Sequence, residues 1–189
     1  YNDYKIITLT LRPTDIADKE PDIIDTSAEF ILPFDYNPNL NKRASDYDSF
    51  AIMSAARSVA VTTGEQLWYV AEHGYNPVPT AGSTAEKIYR EAKDVLRRIV
   101  SDDMTDYEKL KAIYNFLTCE VCYDRATADD GGGEAYRAQC YYLEGVFFNR
   151  FAVCDGKAKA YCLLAAMEGI EAVRVTDFND DFQGHSYNY

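Results

Sequence analysis

The spacing of apolar residues predicts three amphipathic helices in the middle of the chain. In the second and third helices, apolar side chains recur every three or four positions and therefore share one helical face. They are Ile88, Ala92, Val95, Leu96 and Ile99 in the second helix, and Leu110, Ile113, Tyr114 and Leu117 in the third. Residues 62–65, 83–86 and 105–108 each place a glutamate three positions after a hydroxyl residue, which is the pattern of a capping box at a helix start. The first helix is short and stops at Gly74.

The segment that precedes these helices carries strand and turn patterns. Residues 4–11 predict a strand that stops at Arg12 and Pro13, and residues 28–34 predict a shorter strand. Residues 35–42 predict a turn or linker. We therefore expect an N-terminal accessory region, β-rich or irregular, at residues 1–60 and the main domain at residues 61–189.

The segment that follows the helices predicts a loop, a fourth helix and a hairpin. Residues 123–134 predict a mobile surface loop because they contain three consecutive glycines. Residues 152–168 predict a helix, and residues 170–178 and 185–189 predict the two strands of an antiparallel hairpin. Helices followed by strands are typical of an α+β fold, with the helices packed on an antiparallel sheet.

Composition and charge narrow the classes of partner. The chain has 189 residues, of which 47% are hydrophobic, so it can bury an ordinary globular core. Its net charge of −12 repels phosphate backbones and argues against nucleic-acid binding. No run of apolar residues is long enough to span a bilayer. The 16 tyrosines are interpreted mainly as side chains at the edges of the core. The alternative is that some of them line a cleft that binds peptides or glycans.

Cys154 is the candidate nucleophile. It stands at the start of the predicted fourth helix, where unpaired N–H groups and the helix dipole favour a thiolate and can receive an oxyanion. Gly156, Ala158 and Ala160 follow, and residues this small would allow a substrate backbone to approach. From the local string alone, a buried structural cysteine is an equally good interpretation.

His185 is the candidate base, since a thiol nucleophile needs a side chain that accepts a proton near neutral pH. The chain has two histidines. The other one, His73, is interpreted as the C-terminal residue of the first helix. The predicted return of the chain from the fourth helix through the hairpin can bring His185 beside Cys154.

The remaining cysteines are interpreted as structural. Cys119 and Cys122 form a CxxC at the end of a helix, whereas a redox pair is expected at a helix start. A zinc site would need two more ligands, and only Cys140 is a candidate. A disulfide among Cys119, Cys122 and Cys140 is a further alternative. Cys162 lies two turns beyond Cys154 and is expected in the core. We predict no metal and no cofactor.

The strings around both candidates resemble the transglutaminase-like superfamily, of the bacterial type. They are V-C-D-G-K-A-K-A at residues 153–160, the E-G-I that ends at residue 170, and G-H-S-Y-N at residues 184–188. They are similar to the family's V-C-x-G-x-A-x-A helix start, G-I strand entry and G-H-[AS]-[WY]-N strand. The upstream helix at residues 103–114 and the dipeptide Tyr123-Asp124 fit the same pattern. The resemblance covers roughly residues 75–189.

This resemblance implies a papain-like core with Cys154 as nucleophile and His185 as base. The full-length protein is then expected to be an enzyme that transfers acyl groups from amide bonds of peptide or protein substrates, with cell-wall peptides as one candidate. Hydrolysis and cross-linking stay open, because the fold does not choose the acceptor. The alternative is a non-catalytic cell-surface module that binds peptide or glycan. We expect an extracellular or cell-surface location, with the leader absent from this chain.

Two parts of the expected site are not assigned by the sequence. The second oxyanion donor is expected from Gln139, Tyr141 or Tyr142, beside the Cys154 backbone N–H. The third catalytic group is expected on a strand that follows residue 189, so that the chain would be truncated at its C-terminus and would show little turnover. An aspartate at position 177, 180 or 181 is the alternative, whereas Asn188 has the wrong strand parity to act on His185.

Overall fold

The computed structural model describes residues 58–129, 137–178 and 184–188. The strands predicted at residues 4–11 and 28–34, the linker at residues 35–42 and the three glycines at residues 131–133 lie outside these ranges. The division into an accessory region and a main domain at residue 60 therefore stays a prediction.

Five α-helices form about half of the described chain. They are α1 (Gly64–Glu72), α2 (Thr84–Ile99), α3 (Asp106–Cys119), the short α4 (Arg125–Asp129) and α5 (Cys154–Met167). A 3-10 turn at Ala138–Tyr141 and a π-helical turn at Gly145–Asn149 lead into α5. The three helices predicted from apolar spacing are α1, α2 and α3, and the fourth predicted helix is α5.

The capping residues of the three helices agree with the predicted hydroxyl residues, apart from two local differences. At α3 the predicted capping box is confirmed, because Thr105 and Glu108 bond reciprocally. At α1 the box begins one residue later than predicted, with Thr63 as the cap. At α2 the cap is Ser83 as predicted, but the Glu86 carboxylate accepts from the N–H of Gly82 instead of that of Ser83.

The strands pair into three two-stranded sheets within the described residues. The first two are parallel: β1 (Ser58–Val61) with β2 (Asn76–Pro79), and β3 (Cys122–Tyr123) with β4 (Phe151–Ala152). The third, β5 (Arg174–Phe178) with β6 (Gly184–Asn188), is antiparallel. The hairpin and the mixed α+β class are therefore confirmed, but the predicted antiparallel sheet is not, because the sheets of the described residues are small and partly parallel. Helical segments separate the partners of both parallel pairs, and parallel strands need such crossovers.

The predicted loop at residues 123–134 is wrong in its first half. Tyr123 belongs to β3 and residues 125–129 form α4. Asp124 begins this helix, because its carboxylate accepts from the N–H of Thr127 at 3.1 Å and from the Thr127 hydroxyl at 2.6 Å. Both residues are buried. A buried aspartate with hydrogen bonds organises a helix start where the sequence pattern had indicated a turn.

Helix α5 lies at the centre of the core. Every residue from 158 to 167 is buried, and the helix packs against α1, α3 and β6. A helix that is buried on all sides needs apolar or small residues all round, and α5 supplies alanines on several faces. The first turn is closely packed against the backbone of Cys140. A Cβ atom on Gly156 would lie 2.4 Å from the carbonyl oxygen of Cys140.

The contact at Gly156 predicts the sign of a mutational effect. In an unobstructed helix, replacing glycine by alanine stabilises by about 0.5–1 kcal/mol. In Gly156→Ala the added methyl group meets a backbone carbonyl, so we expect a loss of about 1–3 kcal/mol in the free energy of unfolding. Urea unfolding followed by circular dichroism measures it. A variant as stable as the wild type, or more so, would contradict the close packing of α5 on the Cys140 backbone.

Candidate active site

Cys154 is the first residue of α5 and is half-buried. The N-cap residue before it is Val153, whose side chain makes no capping hydrogen bond. The first N–H groups of a helix have no partner within the helix, and here the N-cap side chain supplies none, although the Cys154 backbone is hydrogen-bonded to Tyr123. The position therefore combines a thiol with a helix N-terminus that can receive negative charge.

Tyr123 faces the same thiol from β3. The parallel register pairs Tyr123 with Ala152, two residues before Cys154, so that the strand ends next to the helix start. Burial, then the negative charge of a Cys154 thiolate and a hydrogen bond to the Cys154 side chain, raise the pKa of Tyr123. The phenol therefore stays protonated near neutral pH, and it can donate a hydrogen bond to a thiolate.

Asp155 connects α5 to the hairpin. Its Oδ1 atom accepts from Arg174 Nη1 at 2.6 Å and from the Ser186 hydroxyl at 2.9 Å. Its Oδ2 atom lies 3.0 Å from Lys159 Nζ, one turn further along the helix. The residue that follows Cys154 is thus bonded to both strands of the hairpin.

Lys159 fills the space between α5 and α1. Only 5% of it is exposed, and its ammonium lies 3.1 Å from Glu65 Oε2 and 3.1 Å from the carbonyl oxygen of Tyr141. The same ammonium lies over the rings of Trp68, at 5.0 Å, and Tyr142, at 4.7 Å. Two anions and two ring faces compensate for the burial of this cation.

His185 is the second residue of β6 and is exposed. Its ring stacks on that of Tyr187 with the centroids 6.5 Å apart. On the same strand, Ser186 bonds to Asp155, and the Asn188 amide donates to the Ala158 carbonyl and the Cys162 thiol, at 3.0 Å each. The even-numbered residues of β6 therefore face α5. Within the described residues no hydrogen bond joins the His185 ring to Cys154, so the direct pair stays a prediction.

The third catalytic group also stays a prediction. The hairpin register pairs Asp177 with His185, and residues 180 and 181 lie outside the described ranges. The parity argument against Asn188 is confirmed, because its amide is used to anchor β6 on α5.

The candidate oxyanion donors have other bonds. The Gln139 side chain accepts from the Asn149 amide at 3.0 Å. The Tyr142 ring covers the Lys159 ammonium, and Tyr141 contributes its carbonyl to that ammonium. None of the three is assigned as the second donor by these contacts.

His73 has the position predicted for it. It is the C-cap of α1, with its Nδ1 2.8 Å from the Tyr69 carbonyl and its ring 4.0 Å from the Tyr69 ring. Its nitrogen therefore satisfies a helix-end carbonyl.

The five cysteines are all free thiols, so no disulfide joins Cys119, Cys122 and Cys140. Cys140 is buried, and its thiol donates to the Asp124 carboxylate at 3.1 Å. Cys162 is fully buried, as predicted for a core residue. In the described part of the chain, no group of three or more histidine, cysteine and acidic residues could hold a metal ion.

Sequence reasoning missed Tyr123, Asp155 and Arg174 as parts of this site. Tyr123 and Asp155 had been quoted only as letters of the family pattern. The available signal for Asp155 was its place beside the candidate nucleophile, in the first turn of a helix. Nothing in the sequence indicated Arg174, because its contact with Asp155 joins residues 19 positions apart.

Comparison with known proteins supports the resemblance. The family model described as the transglutaminase-like superfamily matches residues 93–188, from α2 to the last described residue of β6. No curated protein matches the chain. No helix among the described residues is long and apolar enough to cross a membrane.

The burial of the thiols predicts an order of reactivity. Burial, then hydrogen bonding to Asp124, raises the pKa of Cys140 to about 11, and burial, then the charge of Glu72, raises the pKa of Cys162. At pH 8 we expect iodoacetamide to label Cys154, Cys119 and Cys122 in the folded protein, and Cys140 and Cys162 only after unfolding. Mass spectrometry of the peptides measures the labelling. Native labelling of Cys140 as fast as that of Cys122 would contradict the buried site.

The Asp124 carboxylate predicts a pH-dependent contribution to stability. Burial, its largest single influence, raises its pKa, but hydrogen bonds from Thr127 and Cys140 and the Arg137 charge together bring the pKa below its ordinary value. Its contribution is therefore full above the pKa of the unfolded chain, about 3.9, and is lost as the pH falls through the lower folded pKa.

We therefore expect Asp124→Asn to lower the free energy of unfolding by about 1–3 kcal/mol at pH 7. The difference from the wild type should shrink on acidification below about pH 4. Asp129→Asn, which changes an exposed carboxylate of the same helix, is the matched control and should be nearly neutral. An Asp124→Asn effect that is equal at pH 7 and pH 3 would show that the charge does not stabilise the fold.

Proposed function

The chain belongs to the transglutaminase-like superfamily, and on that premise we propose that it catalyses cysteine-dependent acyl transfer on amide bonds of peptide or protein substrates. The observation that carries the proposal is the position of Cys154, a half-buried thiol at the start of a buried helix whose N-cap side chain makes no hydrogen bond. An amide carbonyl that approaches this thiol also approaches the first turn of the helix, whose N–H groups have no partner within the helix.

His185 is proposed as the base. Along α5, Asp155 in the first turn bonds to Ser186, whereas Ala158 and Cys162 bond to Asn188. Strand β6 therefore runs along α5 in the same direction as the helix. Since His185 precedes Ser186, it lies towards the end of the helix that carries Cys154. Its side chain belongs to the opposite face of β6 from Ser186 and Asn188, so the proposal of His185 as the base rests on its place at this end of the helix and on the family pattern.

The reaction begins with transfer of the Cys154 proton to His185. The thiolate sulfur then bonds to the amide carbon, and the C–N bond breaks as the leaving nitrogen takes its electron pair and a proton from His185. Water or a primary amine attacks the resulting thioester while His185 accepts a proton from it, and the C–S bond breaks. Tyr123, protonated and next to the thiol, can donate to the thiolate before attack. Water gives hydrolysis and a lysine-type amine gives cross-linking.

A surface-binding role without catalysis is the second candidate. Tyr123, Tyr142 and Tyr187 are all substantially exposed, at 44%, 40% and 36%. The first two lie against Cys154 and Lys159 of α5, and the third belongs to β6, which packs on that helix. Aromatic side chains of this kind bind peptide or glycan chains. Such a module would need neither a reactive thiol nor a base, so reactivity at Cys154 separates the two roles.

The catalytic proposal predicts separate effects for the two side chains. Cys154→Ser should abolish amide cleavage and amine incorporation with a peptide-library substrate, since no thioester can form. His185→Ala should lower kcat/KM by about 10²–10⁴-fold, the usual contribution of a general base. Release of ammonia or peptide, and incorporation of a labelled primary amine, are the two measurements.

Matched controls keep this test specific. Cys119→Ser removes a partly exposed thiol outside α5, and His73→Ala removes the histidine that caps α1. Both should retain wild-type rates. If the unmodified protein binds peptide or glycan but shows neither activity, and Cys154 alkylates no faster below pH 7 than Cys122, the catalytic proposal is wrong and the binding role holds.

A further inference from the structure

We infer that Asp155 is a positioning residue, whose carboxylate holds the strand that carries His185 against the helix that carries Cys154. The inference rests on the proposed function, because it assigns a role in placing the base relative to the nucleophile. Asp155 neither attacks substrate nor transfers a proton. It acts through the two hairpin residues that it binds, Ser186 and Arg174, and Ser186 adjoins His185.

The geometry gives this carboxylate a central place. Asp155 directly follows Cys154, and Ser186 directly follows His185, and the Ser186 hydroxyl lies 2.9 Å from Asp155 Oδ1. One hydrogen bond therefore joins residues adjacent to the two candidate catalytic residues. A shift of β6 along α5 would break this bond and move His185 by the same amount, because neighbouring residues of a strand share a backbone.

A second contact of the same carboxylate holds the other strand of the hairpin. Arg174 Nη1 donates to Oδ1 at 2.6 Å, and the backbone N–H of Arg174 donates to the Glu72 carboxylate at 2.5 Å. The guanidinium lies 5.0 Å from the Trp68 ring on α1. Arg174 thus stands between two helices, and Asp155 supplies the anion on the α5 side.

The third contact ties the carboxylate to its own helix. Lys159 Nζ lies 3.0 Å from Oδ2, which leaves the carboxylate little rotational freedom because both of its oxygens are occupied. Asp155 lies between two cations, of which Lys159 is buried and Arg174 half-buried. Removing the carboxylate deprives both of a partner, so loss of stability alone would not demonstrate positioning.

The test compares the pH at which Cys154 alkylation reaches half of its maximal rate, measured by mass spectrometry of the Cys154 peptide in the intact protein. The variants are Ser186→Ala, Asp155→Asn and His185→Ala, with Glu65→Gln as control. Glu65 binds the same lysine as Asp155, and its own hydrogen bonds do not involve the hairpin. Thermal melting is recorded for every variant.

Ser186→Ala is the decisive variant because it removes the hydrogen bond from Ser186 to Asp155 without changing any charge near the thiol. The titratable and charged residues that interact with Asp155, with Tyr123 or with Cys154 all remain in it: Tyr123, Arg125, Lys157, Lys159 and Arg174. The proposed base, His185, is unchanged as well. In Ser186→Ala we expect the midpoint of Cys154 alkylation to rise by about one pH unit, towards that of His185→Ala. Because the thiolate is the reactive form, this rise lowers the alkylation rate at pH 6 about tenfold.

In Asp155→Asn, the direction in which the alkylation midpoint of Cys154 moves separates a positioning role from a direct electrostatic effect of the carboxylate on the thiol. Loss of a nearby negative charge by itself favours the thiolate and lowers the midpoint. Loss of the His185 position raises it. We expect a rise in Asp155→Asn, no change in Glu65→Gln, and no further rise when Ser186→Ala is added to His185→Ala.

The outcomes distinguish the inference from the function on which it rests. If His185→Ala itself leaves the midpoint unchanged, the proposed base is wrong and the positioning role is overturned with it. If His185→Ala raises the midpoint but Ser186→Ala and Asp155→Asn do not, the base stands and the inference alone is overturned. A fall in melting temperature without a midpoint shift in these two variants likewise overturns it, since it shows a purely structural ion pair.

Discussion

Helix α5 is buried along nearly its whole length, and the position of its first turn depends on how closely its neighbours approach. The backbone of Cys140 lies so near that a methyl group at Gly156 would overlap its carbonyl oxygen, and the N–H of Val153 donates to the same carbonyl at 3.0 Å. An apolar helix in a close-packed core cannot slide without opening voids. The thiol of Cys154 is therefore held by packing further along the helix, as well as by contacts of its own.

The same burial explains the charges that surround the helix start. Lys159 and Arg174 bring two cations towards the core, and Asp155, Glu65 and Glu72 bring anions. Buried ion pairs often contribute little net stability, since desolvation offsets attraction. Their directional bonds nevertheless favour one arrangement of α1, α5 and the hairpin over others of similar hydrophobic burial. Hydrophobic packing brings the elements together, and this network selects their register.

Local signals made part of this structure predictable. The hydroxyl caps at Thr105 and Ser83, the apolar faces of α2 and α3, and the start of α5 at Cys154 all follow from residues within one or two helical turns. The parallel pairs were not predictable, because β3 meets β4 only after the chain has passed through residues 124–150. The contact of Tyr123 with Cys154 follows from that pairing, and the bond from Arg174 to Asp155 likewise spans separate elements. Sequence periodicity carries no information on such long-range contacts.

The family pattern V-C-x-G-x-A-x-A acquires a physical meaning in α5. Its fixed small positions are Gly156, Ala158 and Ala160, all buried, where larger side chains would meet neighbouring backbone or core. Its variable positions are Asp155, Lys157 and Lys159, and here each makes a specific bond.

Lys157 donates to the Leu117 and Val121 carbonyls at the end of α3, at 2.9 and 2.6 Å, while its two neighbours in the pattern bind the hairpin and α1. Burial lowers the pKa of Lys157, and the negative charges of the Cys122 and Cys119 thiolates oppose this shift. The small residues thus allow the helix to be buried, and the three charged residues decide which elements are bonded to it. Differences in how α5 is oriented between proteins that share the pattern should therefore arise in part at these three positions, whose side chains bond α5 to its neighbours in addition to the bonds that Asn188 makes to Ala158 and Cys162.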